Sequence, residues 1–138
     1  MGMGLSVLVQ VNNVTKSFVT RGGDSVLALS ETTLEVREGE FLSLIGPSGC
    51  GKSTLLRMLA GLIEPTSGQI IWTGGTPDKG GDIGFVFQEP VLLPWLNILD
   101  NVRFPLDSFG VDRRMGDEQA KQMLALVGLK DFGRALPK

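Results

Sequence analysis

The string Gly46-Pro47-Ser48-Gly49-Cys50-Gly51-Lys52-Ser53 fits the pattern G-x-x-x-x-G-K-[ST]. Its residue types suit the holding of a polyphosphate. Glycines 46, 49 and 51 let the backbone take left-handed turns and come close to a ligand. The loop amides then point inward as an anion nest. A loop that opens into a helix also presents that helix's free N–H groups and positive dipole end to the anion. Lys52 would reach the β- and γ-phosphates. The Ser53 hydroxyl would ligate Mg²⁺, and Thr54 would add a second hydroxyl near the α-phosphate. With this chain's own Gly, Lys and Ser+Thr frequencies, a chance match has a probability of about one in a hundred. Cys50 is the only cysteine. It reads as a small residue in a tight loop, because no second thiol exists to resolve an oxidised form.

Such a loop needs a buried strand before it and a helix after it. Residues 41–45, Phe-Leu-Ser-Leu-Ile, form a short apolar run of the kind that is buried on both faces of a parallel sheet. A helix is expected from about residue 52 to 60, with Leu55, Leu56, Leu59 and Leu62 as its apolar stripe and Gly61 as its stop. Upstream, residues 5–14 alternate as a strand and residues 26–36 read as a second extended stretch. Downstream, strands are expected at 69–72 and 83–87. Beyond Gln88 the texture changes: prolines 90, 94 and 105 interrupt a mixed segment over 96–106. Residues 117–127 then read as an amphipathic helix through Ala120, Met123, Leu124 and Val127, ended by Gly128. The expectation is an α/β core with a helical subdomain from about residue 88.

Composition narrows the function. Thirteen Lys and Arg against fifteen Asp and Glu give a net charge of −2, without the basic excess of an electrostatic nucleic-acid binder. One cysteine rules out an internal disulfide framework and suggests a reducing compartment. No histidine is present, so acid–base catalysis or metal ligation by imidazole is excluded within the chain. The apolar run over 90–99 is far shorter than the ~20 residues of a membrane span. The N-terminus has no positive charge ahead of its apolar residues and makes a poor secretory signal. A cytoplasmic chain is the expectation.

Four segments in order carry a resemblance: Val14-Thr15-Lys16-Ser17-Phe18, the phosphate loop, Leu59-Ala60-Gly61-Leu62-Ile63-Glu64-Pro65-Thr66-Ser67-Gly68, and Gly84-Phe85-Val86-Phe87-Gln88. Together they resemble the nucleotide-binding subunit of ABC transporters. The resemblance implies a P-loop NTPase (RecA-like) core, an N-terminal antiparallel β subdomain and the start of a helical subdomain. It divides the chain into residues 1–87 and 88–138. It implies ATP and Mg²⁺ as ligands. Phe18 matches the aromatic that stacks on adenine, although the residue alone reads first as a core aromatic at a strand end. Gln88 matches the Q-loop glutamine that helps place the metal and the attacking water. Its amide can donate and accept without adding charge beside phosphate.

The same resemblance implies partners. In the family, the stretch after Gln88 meets a transmembrane permease subunit, with Leu93, Trp95 and Leu96 as suitable apolar anchors. Two nucleotide-binding subunits form a homodimer on the inner face of the cell membrane, and no nucleic acid is involved. The Leu-Leu-Pro-Trp-Leu-Asn string looks most like importers of nitrate, sulfonate and taurine. Family motifs that follow the helical subdomain are absent: the Leu-Ser-Gly-Gly-Gln segment, the Walker B Asp-Glu, the D-loop and the switch histidine. The chain therefore reads as an N-terminal fragment that is inactive alone. Two alternatives stay open, a non-transport ABC-type ATPase and a non-enzymatic nucleotide-binding module. A GTPase is disfavoured because no Asn-Lys-x-Asp motif occurs.

Overall fold

A computed structural model describes residues 6–75, 83–89 and 91–137. Leu5 of the expected first strand and Pro90 of the apolar run lie outside the described residues. The chain divides into two compact units, Met1–Gly84 and Phe85–Lys138.

In the first unit, strand β1 (Val7–Val19) is the centre of an antiparallel sheet, with β2 (Ser25–Arg37) on one side and β3 (Ser67–Trp72) on the other. Helix α1 (Lys52–Leu59) lies between β2 and β3 in sequence. The core joins Val11 and Val14 of β1 and Leu29 of β2 to Leu55 and Met58 of α1. A strand with strict alternation could not bury residues 11 and 14 on one face. A break in register between them solves this, with Asn13 at φ 49°. The kink is held by the Asn13 N–H donating to Thr33 Oγ1 at 3.0 Å and Asn13 Nδ2 donating to Glu31 Oε1 at 2.8 Å. Helix α1 ends where Gly61, at φ 67°, turns left-handed. The N–H of Leu62 reaches back to Arg57 O and that of Gly61 to Met58 O, a Schellman closure.

Two expected strands do not form. Residues 41–45 and 83–87 have no ladder partners among the described residues. Phe41 is 92% and Ile45 93% exposed, and only Leu44 packs partly against the core. Val86 is 94% exposed. Apolar runs of this kind become strands only when neighbours on both sides take their N–H and C=O groups. The α1 stripe also shifts: Leu55 and Met58 are buried, whereas Leu56 and Leu62 are exposed.

In the second unit, α2 (Ile98–Ser108) and α3 (Arg113–Leu126) pack together, followed by a short 3₁₀ turn (Lys130–Phe132). Helix α3 begins four residues earlier than expected, capped by Asp112, whose carboxylate accepts from the N–H groups of Arg114 and Met115. Its buried face is Gly116, Ala120 and Leu124, while Met123 and Val127 are exposed. Helix α2 was hidden in sequence by Pro105, which sits inside it.

Candidate functional site

The phosphate loop leaves the 41–45 segment and enters α1 at Lys52. Gly49 and Gly51 take φ values of 80° and 97°. At Gly51 the constraint is double. A Cβ there would lie 2.6 Å from both Ala28 O and Leu29 Cδ1, so only glycine lets the loop seat on β2. Lys52 Nζ donates to Gly46 O and Pro47 O at 2.7 Å each and lies 3.5 Å from Cys50 Sγ. The lysine therefore crosses the mouth of the loop, and Gly46, Pro47, Cys50 and Lys52 form one constellation. Ser48, Gly49, Cys50 and Ser53 are exposed, and Lys52 and Thr54 half-buried.

The two N-termini of α1 and α2 differ in a way that bears on function. An α-helix starts with four N–H groups that lack helical partners. In α2 the protein supplies partners for the first three. Ile98 and Leu99 donate to Ala135 O and Gly133 O, and Asp100 donates to Asn97 Oδ1. In α1 no side chain caps the N-terminus and no acidic residue lies in the first turn. Its positive end thus faces the loop with no anionic partner from the protein.

Phe18 lies on β1 paired with Val26, and is 43% exposed. Lys16 Nζ sits over its ring, 5.2 Å from the centroid, and donates to Glu64 O at 2.6 Å. The link to the phosphate loop runs through Leu29, which pairs with Lys16 across the strands and abuts Gly51. Phe18 follows two residues along β1, about 7 Å further.

Gln88 belongs to the second unit, exposed in a bend after Phe85 and Phe87, whose rings meet edge to face at 4.8 Å. Of the three expected docking residues, Trp95 is 73% exposed, and Leu93 and Leu96 are half-buried. Sequence reasoning missed what shapes this loop. The Asn101 side chain accepts from the Leu93 N–H at 2.7 Å and reaches the carbonyls of Leu93, Leu96 and Asn97 within 3.1 Å. Asn97 and Asn101, four residues apart, were the available signal. Among the described residues no group of three or more Cys, Asp or Glu side chains could hold a metal by itself.

The ABC transporter family matches residues 29–137. The chain belongs to this family. An uncharacterized ABC transporter ATP-binding protein of Methanocaldococcus jannaschii is 44% identical over 134 residues, which is 96% of this chain and 50% of that protein. A taurine import ATP-binding protein of Roseobacter denitrificans is 39% identical, covering 90% of this chain and 47% of its own length. The chain spans about half the length of these curated relatives. Among solved structures, a dimeric ATP-binding cassette in a post-hydrolysis state, bound to ADP and Pi, aligns with a TM-score of 0.80. It is 34% identical and is matched over 94% of this chain and 62% of that one. The antiparallel sheet, phosphate loop and following helices are thus the corresponding parts of an ABC ATPase cassette.

Proposed function

We propose that this chain binds Mg-ATP as part of the ATPase subunit of an ABC importer. The observation that carries this reading is the uncapped N-terminus of α1 behind a glycine loop that only glycine at 51 permits. Residues 46–54 take the triphosphate. Lys52 is the mobile cation: its ammonium exchanges the Gly46 and Pro47 carbonyls for the β- and γ-phosphate oxygens. Phe18 offers its exposed ring to adenine, a contact of about 1–3 kcal/mol by analogy with base stacking elsewhere.

The donor set suits a Mg²⁺ that arrives with the phosphates. Ser53 offers a hydroxyl at the helix start, and the described residues hold no carboxylate cluster that would bind a metal unaided. Ser53 would hold the ion, which supplies charge neutralisation on the phosphoryl oxygens. Residues 88–138 are assigned as Q-loop and helical subdomain.

The importer reading draws on relatives whose names specify taurine and ferric ion import. A nitrate, sulfonate or taurine substrate follows from the 92–97 string. The assembly is a homodimer of ATP-binding subunits against a permease, peripheral on the inner membrane face. Among the described residues no helix is long and apolar enough to cross a membrane. Trp95, with Leu93 and Leu96, would meet the permease. In the intact transporter, Trp95→Asp should then reduce co-purification with the permease while Mg-ATP affinity holds; unchanged co-purification would refute the contact.

The deciding experiment on nucleotide binding is isothermal titration with Mg-ATP. Lys52→Ala removes a charge-assisted contact of roughly 1.5–3 kcal/mol, so affinity should fall about ten- to a hundredfold. Equal affinities would remove Lys52 from the site.

A further inference from the structure

We propose that Lys16 is a specificity-determining residue of the nucleotide site. Its ammonium covers one face of Phe18, fixes the ring and leaves the opposite face for the base. This rests on Phe18 being the base platform.

Three observations build it. Lys16 Nζ lies over the Phe18 ring at 5.2 Å, within the range of a cation–π contact. The ammonium is not free to wander, because it donates to Glu64 O at 2.6 Å. Glu64 is itself fixed, since the turn it opens is fastened to β1. The Thr66 N–H donates to Thr15 O at 2.8 Å, and the Ser17 N–H donates to Thr66 Oγ1 at 3.0 Å. Thr15 Oγ1 and Ser67 Oγ are 2.7 Å apart. Gly68, at φ 75°, lets this turn press onto the Asn12 and Asn13 carbonyls, where a Cβ would lie within 2.5 Å. The Pro65-Thr66-Ser67-Gly68 string is thus a clasp around the strand that carries Phe18.

The clasp has a consequence for binding. An exposed aromatic side chain loses rotamer freedom when a base stacks on it, and that ordering weakens binding. Here Lys16 has already ordered the ring. The same clasp follows the end of α1, whose start carries the phosphate grip. Aromatic and phosphate loop are therefore joined twice, through Leu29 and Gly51 and through the 64–68 turn. Lys16 acts on the base half of the ligand alone.

That separation sets the test. Affinities for Mg-ATP and for inorganic tripolyphosphate with Mg²⁺ are measured by titration on the full chain and on Phe18→Ala, Lys16→Met and Lys16→Arg. The ratio of the two isolates the base. Lys16→Met should lower ATP affinity about three- to tenfold with tripolyphosphate affinity unchanged. Lys16→Arg, which keeps the charge and a donor, should retain most of the ratio. If Phe18→Ala collapses the ratio but Lys16→Met leaves it intact, Lys16 has no such role. An equal loss of both ligands in Lys16→Met would make it a structural residue and overturn the proposal. If Phe18→Ala itself leaves the ratio unchanged, the platform reading fails first.

Discussion

Gly51 and Gly49 belong to one loop and both take positive φ, yet they carry different constraints. Gly49 has nothing within 4 Å of a would-be Cβ, so Gly49→Ala meets only backbone strain, about 1–2 kcal/mol. Gly51→Ala adds a collision with the Ala28 carbonyl and Leu29. Strain and overpacking together should cost about 2–5 kcal/mol and should separate α1 from β2. Urea unfolding of the two variants checks this; equal losses would mean that the loop yields at Gly51 without disturbing the core. The phosphate loop was legible in sequence because its constraint is local: glycine positions, a lysine and a hydroxyl at fixed spacing. Lys16 was not. Its role depends on Glu64, 48 residues away, being brought to it by the pairing of β1 with β3. No period or motif in the sequence marks that contact.

At the scale of elements, the second unit turns on one buried cation. Arg103 of α2 lies 2.9 Å from Asp100, 3.2 Å from Asp107 and 2.6 Å from Asp117 of α3. Its stem fills the space where a side chain at position 116 would stand, 3.1 Å from a Cβ there, which explains a glycine inside α3. The Arg103 hydrogen bond holds the Asp117 carboxyl below its ordinary value of 3.8. A depressed folded value stabilises the protein above the unfolded pKa, and that contribution is lost as pH falls through the folded one. The stability gap between wild type and Asp117→Asn should therefore be present at about pH 6 and close on acidification below 3.8. A gap that persists in acid would show that Asn disturbs packing and not the ion pair. The helices themselves were unevenly legible. Helix α3 showed through its apolar spacing and its stop at Gly128. Helix α2 did not, because Pro105 should break a helix. It survives because Asn97, the carbonyls of Gly133 and Ala135, and Arg103 hold it from outside. The opposite error occurred at 41–45 and 83–87, where an apolar run was read as a strand. Composition shows that such a run can be buried, but not whether a neighbour lies beside it.

Those two segments matter for the molecule as a whole. Each leads into a proposed site residue: Phe41 to Ile45 into the glycine-rich loop, and Ile83 to Phe87 into Gln88. With Phe41, Ile45 and Val86 more than nine-tenths exposed, neither segment is clamped in a sheet among the described residues. A grip on the triphosphate tolerates this, since Gly51 and α1 are anchored on β2 and the core independently. Hydrolysis does not. Phosphoryl transfer is catalysed almost entirely by positioning and fixed charge around the attacking water and the γ-phosphate. Among the described residues, the segment before Gln88 has no ladder to fix it. The 138 residues contain no histidine and no aliphatic strand leading into an acidic pair that could orient water. These residues alone should therefore bind Mg-ATP weakly and release phosphate no faster than the Lys52→Ala variant. A phosphate-release assay on the purified chain, with that variant as the blank, tests the expectation. Lys52-dependent turnover would overturn it.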